Sequence, residues 1–140
     1  MNTGDSPALS LRVAAFGQLM DAYEQNYILL RRLFGDLRRL QTGDECPWNA
    51  AVMPKVITSS RYTLDMQFTD HSIFGHKQRP LQLKVRIYHD ARTAELLEPT
   101  RRDQCLQAEV SLCTEKQFRR NTLLQKWLIQ QLDSLLNTQN

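Results

Sequence analysis

The chain has 140 residues, 41% hydrophobic and 24% charged, with a net charge of +3. That composition suffices for one buried core, excludes a natively disordered chain, and leaves only a mild basic excess, which supports polyanion binding only where the charges cluster. No apolar run approaches the roughly 18 residues of a membrane span, and "MNTGDSPALS" has no basic region followed by an apolar core, so neither a transmembrane segment nor a signal peptide is expected.

Residues 1–9 read as a flexible leader, and a helical region follows over 10–41. Its stripe is Phe16, Leu19, Met20, Tyr23, Tyr27, Leu30 and Phe34, stepping by three or four. Gly35 is placed to end the helix in a left-handed conformation, and "DLRRL" adds one short turn. "QTGDECPWN" collects turn formers and reads as a loop.

From Val52 the period becomes two, and a sheet is expected over 52–113. Pro54 cannot donate to a ladder, so the first strand, around Val52–Thr58, belongs at an edge. In the next, Tyr62, Leu64, Met66 and Phe68 share one face, and a loop is expected at 69–80. Leu81, Leu83, Val85 and Ile87 then alternate with polar residues, as do Leu106, Ala108, Val110 and Leu112. Thr114 and Gln117 form a capping box for a helix over 114–137, striped by Phe118, Leu124, Trp127, Leu128, Leu132 and Leu135. The expected fold is α+β in a single domain. An N-terminal helix and a long C-terminal helix pack on one face of an antiparallel meander of four to five strands.

The densest group of chemically useful side chains is "KVRIYHDARTAEL". A turn centred on Asp90-Ala91 sets Ile87 against Ala94 and Val85 against Leu96 on the apolar side. Tyr88 then faces Thr93 and Arg86 faces Glu95 on the wet side. A slip by one would oppose apolar to polar residues. Arg86 and Glu95 are expected to form a cross-strand ion pair, with His89 and Asp90 at the turn and His89 on the rim of the open face. A histidine beside a carboxylate suits acid–base work, but adjacent residues start on opposite faces of a strand and no nucleophile is tied to them by spacing.

These segments also carry a resemblance. "YEQNYILLRRLF", "SSRYT", "VRIYHDARTAEL" and "EKQFRRNTLLQKWL" resemble the YqiB-like family of small bacterial proteins, a domain of unknown function. The likeness rests on Glu24, Asn26, Tyr27, Leu30, Arg31, Arg32 and Leu33, then on Arg61, Tyr62, Thr63, Val85, Arg86, Tyr88, His89, Asp90, Ala91, Ala94 and Glu95. Glu115, Lys116, Asn121, Leu124, Trp127 and Leu128 complete it. It spans most of 16–130, implies a first helix ending near Gly35, and brings no activity, cofactor or catalytic residue. Relatives usually have a Tyr/Pro/Asn-rich stretch with a His before the Glu-Lys pair. Here "LQAEVSLC" stands in that place, so any site built there is lost or rebuilt.

Asn26 and Asn121 lie beside their helical stripes, where they either cross-link the packing or point into one pocket with Tyr62 or His89. Arg31, Arg32, Arg38 and Arg39 form a basic patch near the end of the first helix, where cations are also favoured by the helix dipole. His71 and His76 near Asp70 match no zinc spacing, and no glycine-rich phosphate loop occurs, so no metal and no cofactor are expected. Cys46, Cys105 and Cys113 make an odd count without a Cys-x-x-Cys pair, as in a reduced, cytoplasmic chain.

The functional expectation is a non-catalytic interaction or adaptor module with an unknown protein partner, monomeric or homodimeric and off the membrane. Its surface is the polar sheet face of Arg86, Tyr88 and Glu95 with His89, Asp90 and Arg61. The alternative is a binder of a small anion, nucleotide or nucleic acid through Arg61, Arg86 and the first-helix arginines, with Tyr62 or Tyr88 stacking. A hydrolase using His89 and Asp90 is the third reading.

Overall fold

The computed structural model describes residues 7–74, 76–97 and 110–138. The first helix, α1 (Pro7–Phe34), stops where expected. Gly35 takes φ +76°, and its N–H donates to the Arg31 carbonyl at 2.8 Å. Asp36 then caps a 3₁₀ turn, Leu37–Arg39, accepting from the Arg38 N–H at 3.1 Å. Residues 1–6 of the expected leader lie outside the described residues, and 7–9 already belong to the helix.

Four strands follow: β1 (Val52–Ser59), β2 (Thr63–Phe74), β3 (Pro80–Tyr88) and β4 (Thr93–Leu96), paired antiparallel in chain order. Pro54 sits on the edge strand β1. The pairing shifts between Val56 and Thr58, and Ile57, like Met53 and Lys55, faces outward by the strand's alternation. The β3–β4 hairpin has the register expected of it, with Val85 opposite Leu96, Arg86 opposite Glu95, Ile87 opposite Ala94 and Tyr88 opposite Thr93.

Three sequence expectations are corrected. Residues 69–74 of the expected loop continue β2 instead, and a 3₁₀ turn, His76–Gln78, carries the chain into β3. Tyr62 precedes β2 and is 55% exposed, so it does not share the buried face of Leu64, Met66 and Phe68. The last helix, α2, runs Val110–Thr138, so Val110 and Leu112 are helical and not in a strand, and Thr114 lies inside the helix, not at its cap. Residues 105–109 of that expected strand lie outside the described residues.

The core forms where the helices cover one sheet face. Leu64, Met66, Phe68, Val85, Ile87 and Ala94 from the sheet meet Leu30, Leu124, Trp127 and Leu128 from the helices. Each large apolar side chain so buried contributes about 1.5–3 kcal/mol. Phe68 and Trp127 have ring centroids 5.3 Å apart, and Trp48 and Phe34 join the same aromatic group. The helices lie side by side and run in the same direction: Gln18, Asp21 and Gln25 adjoin Phe118, Thr122 and Gln125, while Leu29 and Arg32 adjoin Ile129, Leu132 and Leu136. No helix among the described residues is long and apolar enough to cross a membrane.

Candidate functional site

Alternation along β3 sends Arg86 and Tyr88 to the face opposite the buried side chains of Val85 and Ile87, as expected. The partner of Arg86 is different. Its Nε and Nη2 donate to the two oxygens of Asp65, at 2.9 and 3.2 Å, a two-pronged bond to the residue directly opposite on β2. This bond, foremost among its causes, raises the pKa of Arg86 above its already high ordinary value. Glu95 instead accepts from the Tyr88 hydroxyl at 2.7 Å. Tyr23, reaching in from α1, also engages Glu95. Burial and then this carboxylate push the Tyr23 pKa up to about 12, and burial followed by Glu95 raises that of Tyr88. The expected Arg86–Glu95 ion pair is therefore replaced by two separate pairings, Arg86 with Asp65 and Tyr88 with Glu95.

His89 is not on the open rim. It continues the series of Val85 and Ile87, so it turns to the helix-covered side and is 4% exposed. Its backbone N–H donates to the Tyr62 carbonyl at 2.9 Å, and its Nδ1 is buried with no hydrogen-bond partner among the described residues. Burial and then the nearby Arg38 lower its pKa, against smaller opposing pulls from Asp90 and Asp36. Asp90 points outward and pairs with Arg38 at 3.1 Å, so the two residues of the hydrolase reading are engaged in different places.

The two asparagines do come together. Asn26 Nδ2 donates to the Asn121 carbonyl at 3.2 Å, and Asn121 accepts from the Leu96 N–H at 2.8 Å while donating to the Gln117 carbonyl. Both are essentially fully buried, and they tie α1, α2 and β4 together without reaching His89 or Tyr62. Arg61 rests over the Tyr62 ring, 5.3 Å from its centroid. His71 is exposed, and no cluster of three or more metal-ligating side chains occurs among the described residues.

The basic patch divides. Arg38 is held by Asp90, and Arg39 lies 3.7 Å from Asp36. Arg31 and Arg32 instead line a cleft of about 610 Å³ between α1 and the β3–β4 turn, together with Glu24, Tyr27, Ile28, Ala91 and Arg92. Arg31, Arg32 and Arg92 form no ion pair among the described residues. Arg92 has φ +53°, a left-handed conformation that a residue with a Cβ adopts at a cost. Nothing in the sequence pattern marks Arg92 directly, because turn chemistry favours Gly or Asn in that conformation. The one indirect signal is the absence of either from a tight hairpin.

Charge and shape suit this cleft to an anion. Guanidinium groups bind oxyanions in a planar, two-pronged way, and Tyr27, Ile28 and Ala91 add apolar surface beneath. Two effects oppose: Glu24 adds a negative charge, and the C-terminal end of α1 presents its negative dipole there. The dipole is worth only a few tenths to about 1 kcal/mol, less than a charge-assisted bond.

No curated protein matches the chain, and no solved structure matches it. A family model described as "Protein of unknown function (DUF1249)" matches residues 29–134, a span that takes in Arg31, Arg32, the whole sheet and the β3–β4 turn. With most of its length matched in this way, the chain belongs to the DUF1249 family of proteins of unknown function.

Proposed function

We propose that the chain is a non-catalytic binding module that takes an anionic group into the cleft between α1 and the β3–β4 turn, where Arg31, Arg32 and Arg92 hold it. One observation carries this reading: three arginines without an ion pair among the described residues converge on a single cleft. Of the other sequence-derived arginines, Arg86, Arg38 and Arg39 lie against Asp65, Asp90 and Asp36, and Arg61 rests over the Tyr62 ring, away from this cleft. The cleft volume of about 610 Å³ also lies in the range of small-molecule sites.

The adaptor reading centred on Arg86, Tyr88 and Glu95 has less support, because those groups are occupied with Asp65 and with one another. A single folded unit in a reduced cytoplasm, monomeric or homodimeric and akin to the YqiB-like bacterial proteins, belongs to the same proposal.

Thermal denaturation in the presence of phosphate and small polycarboxylates tests it. The anions should raise the melting temperature of the native chain, and less so as salt is added. The double variant Arg31→Ala/Arg92→Ala should show no such shift. An equal shift in that variant, or none in the native chain at saturating anion, would remove the proposal.

A further inference from the structure

An anion site has no use for Glu24. It lies two helical turns before Arg31 on α1, about 10 Å along the axis at 1.5 Å per residue, yet both line the same cleft. Ile28 stands between them, one turn from each, with Tyr27 beside it and Ala91 contributed by the hairpin. The cleft is thus ordered along its length. Along α1, Arg31 and Arg32 mark one end, Tyr27 and Ile28 the middle, and the Glu24 carboxylate, an acceptor, the other end, with Ala91 and Arg92 lining the same cleft from the hairpin.

The number of arginines also says something about the anion. A carboxylate offers two oxygens, which one guanidinium fork satisfies. A phosphate monoester offers three terminal oxygens and about two charges, a match for three forks converging from a helix and a turn. Against inorganic phosphate alone, Glu24 acts only as a repelling charge. Against a longer ligand it supplies an acceptor for a hydroxyl or amino group.

We infer, resting on the anion-binding reading above, that the cleft takes an organic phosphate monoester. Its phosphate sits among Arg31, Arg32 and Arg92, its body lies over Ile28 and Tyr27, and a hydroxyl or amino donor reaches Glu24. A sugar phosphate and a nucleotide share this chemistry and differ in the flatness and length of the body.

Isothermal titration of the full chain and of Glu24→Gln tests this, with three probes: inorganic phosphate, a hexose phosphate and a nucleoside 5′-monophosphate. Glu24 is exposed on a helix and glutamine is an equally good helix former, so the variant folds, which circular dichroism checks. In the native chain at least one ester should bind more tightly than inorganic phosphate. In Glu24→Gln that ester should weaken about five- to tenfold, the loss of one charge-assisted hydrogen bond. Inorganic phosphate should bind the variant equally or more tightly, because a repelling charge is gone. This opposite response is the signature, and the ester that shows it identifies the body.

If Glu24→Gln tightens all three probes alike, or if neither ester exceeds inorganic phosphate, the inference falls while the anion-binding reading stands. If none of the three binds the native chain, the anion-binding reading falls with it.

Discussion

Trp127 donates its indole N–H to Asp70 at 2.9 Å, joining the middle of α2 to β2 through a carboxylate that is 2% exposed. The other carboxylate oxygen accepts from both the N–H and the hydroxyl of Ser72, at 2.9 and 2.6 Å. Burial pushes the Asp70 pKa up, but the bonds from Ser72 and Trp127 more than offset it, so the net direction is below the ordinary value. Asp70→Ala should therefore cost about 2–4 kcal/mol in urea unfolding, since it strands a buried indole donor and removes charge-assisted bonds. Asp70→Asn, which keeps an acceptor, should cost less. A loss under about 1 kcal/mol for the alanine variant would show that the contact is not maintained in solution.

His89 sets a pH dependence of the opposite kind to a salt-bridged histidine. Its folded pKa is depressed, so the unfolded chain takes up the proton more readily. Stability from the neutral imidazole is complete above the unfolded value of about 6.5 and is lost as pH falls from there through the folded pKa. The melting temperature of the native chain should drop between pH 7 and pH 5 by more than that of His89→Gln, which cannot titrate. Parallel curves for the two proteins would count against a buried neutral His89.

Arg92 separates stability from function. Its left-handed backbone favours glycine by roughly 1 kcal/mol, partly offset by the greater freedom of glycine in the unfolded chain. Arg92→Gly should leave the melting temperature unchanged or raise it by a few degrees, while weakening phosphate binding at least fivefold. A clear loss of stability instead would mean that the arginine side chain holds the turn.

The polar sheet face is open to a double-mutant cycle. Arg86 with Asp65 should couple by about 0.5–1 kcal/mol, the upper range for a half-exposed pair with two-pronged geometry. Arg86 with Glu95 should couple by close to zero, because Glu95 is occupied by tyrosine hydroxyls. Coupling in the reverse order would restore the pairing expected from the hairpin alone.

That contrast shows what the sequence could and could not convey. Local pairing was legible: the period of two and the Asp90-Ala91 turn placed Val85, Arg86, Ile87 and Tyr88 opposite their observed partners on β4. The choice made by Arg86 was not, since Asp65 comes from β2 and its register against β3 depends on a longer connection. At Val110–Cys113 a short apolar alternation fits either period, and the helix-forming residues that follow drew those positions into α2. The turn residues around His89 suggest a rim position, although its odd position already allies it with Ile87. The cleft needed three dimensions, because Glu24 and Arg92 lie far apart along the chain and meet only where α1 packs beside the hairpin.

The parallel course of α1 and α2 has a consequence for labelling. Because both helices start at one end of the layer and finish at the other, Pro7 and Thr138 stand at opposite ends. The 28 residues of α1 alone span about 40 Å at 1.5 Å per residue. A dye attached before Pro7 and another beyond Thr138 would report on the length of the helical layer. The cleft, opening beside the last turns of α1, would lie much closer to the second dye than to the first.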